Sequence, residues 1–354
     1  MLADVANRAS SETDTAVNAR RRAAGASHVA GLVTIILGLV ISVVADSIPL
    51  VYQYAPLAAS VVVLGLPHGA VDHLVLPRSR GQSVTPRALA LVGGCYLAIG
   101  GAYAALWFVA PAVSFALFIL LTLVHWGQGD VYALCELTGV SYLETPARKG
   151  LALVVRGGLP MLVPLVAFPD QYGFVAGSLV SLFDPGAAAA LEGAFRPAVR
   201  HAIGVGFGTL VVATLALGYR RTDDLEPWLL DASETLGLAA FFDVVPPILA
   251  IGLYFTGWHS VRHILRTLLV DDAAVAALAN GDVRGAIGRF ARDAAPLTAG
   301  ALAVFAALAV AVPRTPATVP DVAALYLVGI AVLTLPHVVI VALLDLEQGL
   351  WTGQ

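Results

Sequence analysis

Charge is what this chain has least of. Of its 354 residues only 12% are charged, against 58% hydrophobic, and a soluble domain of that size has no means of hiding so much apolar surface. Lysine is almost missing, with Lys149 the only one. A retinal-binding opsin needs a buried lysine amine for its Schiff base; Lys149 falls in a basic stretch between apolar runs, so that class is excluded. The two cysteines, Cys95 and Cys135, are too few and too scattered for a disulfide framework or a thiolate metal site. Both read as packing residues. A net charge of −4 without a polybasic block argues against a nucleic-acid partner. Period-two alternation is also missing, which excludes a porin-like barrel.

What is present is a series of apolar runs, at 29–45, 55–76, 88–110, 112–134, 150–168, 199–218, 228–245, 247–268, 294–312 and 320–345. A span takes about 20 residues, in a working range of about 17–25. The fold class is therefore an all-α polytopic transmembrane bundle of ten spans or near-spans, eight at the fewest. The run 228–245 is the weakest, because Asp231, Glu234 and Asp243 interrupt it. Pro246-Pro247 forces a break before the next run. Residues 1–27 are polar and rich in small residues, the pattern of a disordered cytoplasmic tail; residues 28–354 form a single transmembrane helical domain. Basic clusters recur in alternate loops: Arg20–Arg22; Arg78, Arg80 and Arg87; Arg148 and Lys149; Arg220 and Arg221; and a last group from Arg262 to Arg292. The positive-inside rule then makes this a multi-pass protein of the cell membrane with both termini cytoplasmic.

Against this apolar background the histidines stand out. His68, His125 and His259 each lie about a dozen residues into a run travelling inward, roughly 18 Å deep and just past the midplane. His263 is one turn deeper than His259, and His337 lies in the inner half of the last run. All four runs travel in the same direction, so the rings are expected to converge. His259 and His263 are spaced i, i+4, which puts two imidazoles on one helical face. The sequence between them lacks the glutamate of a His-Glu-x-x-His protease. With His68 and His125 the site would offer four neutral nitrogens, a set that suits iron, zinc, copper or nickel alike.

Other polar residues fall around these four. Asp72 is i+4 from His68 and is expected to orient it. His73 is rotated about 140° from His68 on a regular helix, which gives it a supporting role. Asp130 sits near the inner boundary, and His337 is a supporting group or an alternative ligand. Phe118, Trp126, Tyr254, Phe255 and Trp258 are candidates to line an apolar cleft for an extended lipid-like substrate, aromatic anchors being the plainer explanation.

The combination of Pro67-His68-Gly69-Ala70-Val71-Asp72-His73, His125-Trp126-Gly127-Gln128-Gly129-Asp130, Trp258-His259-Ser260-Val261-Arg262-His263 and Pro336-His337 resembles the Brp/Blh family of β-carotene 15,15'-dioxygenases. The resemblance implies an integral-membrane, Fe(2+)-dependent enzyme. That enzyme would cleave the central double bond of β-carotene with O2 into two molecules of all-trans-retinal, destined for a microbial rhodopsin. It also implies that His68, His125, His259 and His263 are the catalytic iron ligands, within a bilayer that delivers the substrate. The rival reading is a non-enzymatic membrane protein: a bis-histidine haem or quinone electron carrier, or a transporter or rhodopsin-assembly factor with a histidine proton relay.

Overall fold

A computed structural model describes residues 2–45 and 47–352, with side chains from residue 13 onward. Among the described residues there are helices and connections but no strand. The long helices are α1 (Leu2–Val44), α3 (Pro86–Val109), α4 (Pro111–Leu137), α5 (Pro146–Ala167), α7 (Pro197–Tyr219), α11 (Val283–Ala311) and α12 (Val319–Glu347). Between them lie α2 (Asp72–Ser79), α6 (Pro169–Ser181), α8 (Leu225–Val244), α9 (residues 247–268) and α10 (Asp272–Ala279). Proline occupies the first turn of most of these helices, where its missing N–H costs nothing.

Seven helices among the described residues, the long ones just named with α1 counted from Thr13, are long and apolar enough to cross a membrane. The chain is a multi-pass membrane protein. The other three of the ten apolar runs are interrupted by charge or by a break in the helix. Run 228–245 becomes α8, with Asp231 and Glu234 buried. Run 247–268 becomes α9, with Arg262 and Arg266 buried rather than sitting in a basic loop. Run 55–76 is not a continuous helix. It breaks after Ala59, passes Leu64 at φ 59° and makes a tight 3₁₀ turn over Leu66–Gly69 before α2 begins. Pro67 supplies part of the reason, since it has no N–H to donate. Gly65 supplies the rest, because a Cβ there would lie 2.4 Å from the Ser60 carbonyl.

Lipid offers no hydrophobic drive for helix association, so close packing must do the work. Helices α4 and α5 meet backbone to backbone: a Cβ on Gly157 would fall 1.8 Å from the Leu123 carbonyl oxygen, and one on Gly127 2.3 Å from that of Leu153. That seam fixes the depth of His125, two residues from Gly127. Helix α1 packs on α9 in the same manner, with Gly31 against the Trp258 ring.

The expected disordered tail is corrected here. Residues 13–27 continue α1 as helix, and Ala19, Ala23 and Ser27, spaced i, i+4, i+8, are buried. Ala19 packs with Ala274 and Leu278 of α10. Alanine is the best helix former and leaves room for close approach, so a polar-looking stretch is pinned to the bundle by its small residues.

A candidate metal centre

Helices α4, α9 and α12 and the Leu66–Gly69 turn each aim imidazoles at one point. Five of the eight histidines meet there: His68, His125, His259, His263 and His337, all buried, with neighbouring ring centroids 4.7–6.2 Å apart. The Nε2 atoms of His125 and His259 face each other at 3.1 Å. Two nitrogens each about 2.0–2.1 Å from a shared ion sit at about that separation. Nitrogens of His68, His125 and His337 lie within 4.8 Å of one another, as do ligating atoms of Asp72, His263 and His337. These groupings are subsets of a single cluster.

Local structure aims the rings. The Nδ1 of His68 bonds the Gly65 carbonyl at the start of its own 3₁₀ turn, which leaves Nε2 for the cavity. His259 ends a π-helical turn over Tyr254–His259, a wider coil of the kind that recurs at functional sites. His263 follows one regular turn later on α9. Gly129 of α4 lies against the His259 ring, where an added Cβ would stand 3.6 Å away in ordinary contact. On α12 the ring of His337 follows Pro336 and is held by Asp72, whose two oxygens lie 2.8 and 2.9 Å from Nδ1.

The cluster has unspent hydrogen-bonding capacity. The Nε2 of His68, the Nε2 of His337 and the Nδ1 of His125 are buried with no partner. Buried polar atoms are nearly always satisfied, so several orphans on one cluster are the mark of a place built for a ligand. Neutral imidazole nitrogens without protons are donors to a transition metal, and the residues therefore fit one.

Several sequence expectations change. Asp72 does not orient His68: the break at Leu66–Gly69 removes the i, i+4 relation, and the carboxylate serves His337 while accepting from the Tyr96 hydroxyl at 2.6 Å. His337 stands inside the cluster rather than beside it. His73 is apart from the cluster, half-buried at the edge of a cavity. Asp130 faces away from the histidines. It accepts from Arg262 at 3.0 Å and from the Trp258 indole at 3.0 Å, with Arg156 at 3.6 Å. Arg262 also reaches Glu234 at 2.7 Å, and Arg156 reaches both Asp231 and Glu234 at 2.8 Å. Trp258 is thereby a scaffold residue, with the Arg262 guanidinium 4.0 Å above its ring. Tyr254 is likewise enclosed in the core, stacked on Trp258 with the Trp126 ring tilted against it. Neither lines the cleft.

Two apolar cavities reach the histidines. One lies among α4, α5, α6, α9 and α12, with Phe118, Trp126 and Phe255 among the residues of its wall. The other, about 740 Å³, lies among α3, α11 and α12. A volume of that order is usual for a site that encloses a small molecule. His68, Phe255, Ile330 and Thr334 belong to the walls of both, so the cavities meet at the imidazoles. Tyr96, the buried arginines and the second cavity had no sequence signal beyond one echo, Pro336-His337 repeating Pro67-His68.

A multi-pass bundle with a buried imidazole cluster between two apolar cavities defines a class of membrane protein whose core could hold a metal, and comparison with known proteins narrows it. Residues 59–345 match the family model described as beta-carotene 15,15'-dioxygenase. A probable beta-carotene 15,15'-dioxygenase, Blh, of Halobacterium salinarum is 46% identical over 337 residues, covering 95% of this chain and 97% of the relative. The probable beta-carotene 15,15'-dioxygenase Brp of the same species is 33% identical over 320 residues, 86% of this chain and 87% of that one. A beta-carotene 15,15'-dioxygenase of an uncultured marine bacterium is 33% identical over 78 residues, 21% of this chain and 27% of its own length. No solved structure matches the chain. The chain belongs to the β-carotene 15,15'-dioxygenase family.

Proposed function

We propose that this protein cleaves the central 15,15' double bond of β-carotene with O2, giving two molecules of all-trans-retinal, at an iron(II) centre. One observation carries the reading: the two apolar cavities meet at the imidazole cluster. A long symmetric hydrocarbon laid through both would present its middle to the histidines, with one half in each arm.

His68, His125, His259 and His263 would hold the iron, with His337 inside the same cluster as a supporting or alternative ligand. Four neutral ligands leave positions open, and bound iron(II) supplies the activation of O2 that no side chain can provide. The rest is the work of the chain. Phe118, Trp126 and Phe255 bind and orient the polyene. The Gly65 carbonyl holds the His68 ring, and Asp72 with Tyr96 holds His337. Apolar walls exclude water, which protects reactive oxygen species from side reactions. Both oxygen atoms of O2 end in the two aldehydes and no proton is gained or lost, so no acid–base residue is required.

The setting follows from the substrate. β-Carotene dissolves in the bilayer, and retinal released there is available to a microbial rhodopsin. We infer that both termini are cytoplasmic, which requires the broken run 55–76 and helices α8 and α9 to complete an even number of crossings with the seven long spans. Expression in a β-carotene-producing host tests the activity: the orange colour fades and retinal accumulates. Unchanged carotene beside well-expressed, iron-replete protein overturns it.

A further inference from the structure

The two arms of the site differ in their walls. The arm among α4, α5 and α6 is closed by ring-bearing side chains, including Phe115, Phe118 and Tyr172. The arm between α3 and α11 is walled instead by what is missing. Gly93 and Gly101 of α3 and Gly300 of α11 all face it, and a Cβ added at any of the three would meet nothing within 4 Å. Leu97, Leu297 and Val304 line the same space while 80%, 38% and 36% exposed on the outer surface of the bundle. A residue that both lines a cavity and faces outward marks its mouth. Pro296, inside α11 and also on the wall, removes a backbone hydrogen bond where the helix borders the gap. The inner end of the gap is polar: the Nε2 atoms of His68 and His337, buried and unpartnered, belong to its lining residues, with His73, Tyr96 and Thr334 beside them.

We propose that the gap between α3 and α11 is a lateral doorway, through which an extended polyene enters from the hydrocarbon core of the membrane and in which one half of it rests during cleavage. This rests on the carotene-cleavage reading above and adds the route and the arm. A hydrocarbon cannot come through the aqueous ends of the bundle, because leaving the bilayer costs about 25 cal/mol for each Å² of apolar surface exposed. The mouth opens on the lipid-facing surface of two candidate spans, so the substrate never has to leave its solvent. The absent side chains make the slot, and its depth ends at the histidines.

The test is to fill the slot. Gly101→Phe and Gly300→Leu place side chains into open space, while Ala98→Phe adds the same bulk to α3 at an exposed position outside the cavity wall. Iron-loaded protein in lipid nanodiscs is given either β-carotene or an apocarotenal truncated on one side of the central double bond. Both slot variants are expected to keep full iron content and to lose β-carotene cleavage by about tenfold or more, and the truncated substrate, which passes the same doorway but leaves the arm empty, should fall too, by less. Ala98→Phe should match wild type on both. Unchanged β-carotene turnover in Gly101→Phe overturns the doorway, and so does a loss in Ala98→Phe as large as that in Gly101→Phe. Carotenoid bound by the iron-free protein gives a second readout that needs no turnover. Gly101→Phe should lower it, and undiminished binding overturns the doorway. Failure of the wild-type protein to form retinal would instead count against the cleavage reading, with the binding readout still deciding the doorway.

Discussion

Two buried polar layers lie side by side in this bundle and are built on opposite plans. In one, five imidazoles crowd together with nitrogens left unpaired. In the other, Asp130, Asp231 and Glu234 are matched against Arg156 and Arg262 by ion pairs of 2.7–3.6 Å. The same helices serve both: α9 carries His259, Arg262 and His263, and α4 carries His125 and Asp130. The difference teaches how to tell a site from a scaffold at membrane depth. Charges that find each other fix helix positions even where single nitrogens of Arg156 and Arg262 stay unpaired, whereas imidazoles that converge unpaired on one point form a place for something outside the chain.

Substitutions should break the two layers differently. The largest effect is expected from His259→Ala, which should abolish both bound iron and retinal formation. Metal analysis and product assay check it, with thermal unfolding of the iron-free protein nearly unchanged; full iron occupancy would remove His259 from the ligand set. Next comes Asp130→Asn. Breaking a buried ion pair by removing one partner costs about 3–5 kcal/mol, so this variant should lose melting temperature or folded yield even without metal. A fully stable but iron-deficient variant would move Asp130 to the other layer.

Asp72→Asn should sharpen the contrast, because Asp72 touches the cluster through His337. A loss of iron affinity of about 10–100-fold is expected, read by chelator competition, with little change in stability. The smallest effect lies outside the spans. Burial opposes ionisation of Asp271, yet the Arg289 hydrogen bond at 2.8 Å and the Arg78 charge at 2.9 Å outweigh it and hold the carboxyl below its ordinary value. A depressed folded value contributes stability that is present above the unfolded pKa and is lost as pH falls through the folded one. Melting temperature followed from neutral into the acidic aspartate range should therefore fall less steeply in Asp271→Asn than in wild type.

The sequence made the convergence of His68, His125, His259 and His263 readable because depth along a helix is arithmetic at about 1.5 Å per residue. Orientation was not readable where the helix stops being regular. Asp72 looked like a partner of His68 only on the assumption of an unbroken turn, and Leu66–Gly69 breaks it. Trp258 looked like a cleft residue because its indole N–H gives no hint of the Asp130 carboxylate 128 positions earlier. Arg262 and Arg266 looked like loop charges because their partners, Asp130, Glu234 and Asp345, come from other helices. Local pattern reports depth and face; long-range pairing is a property of the packed bundle.

Asp72, carried by the short helix after the break, has one more consequence. It adds a fourth carboxylate to Asp130, Asp231 and Glu234, against the two guanidiniums of Arg156 and Arg262, so the formal charges around the neutral imidazoles sum to −2. A divalent cation among the rings brings that sum to zero; a trivalent one leaves an uncompensated charge in a medium that penalises it heavily. For the iron centre proposed above, that balance would favour the reduced ion, through side chains that never touch the metal.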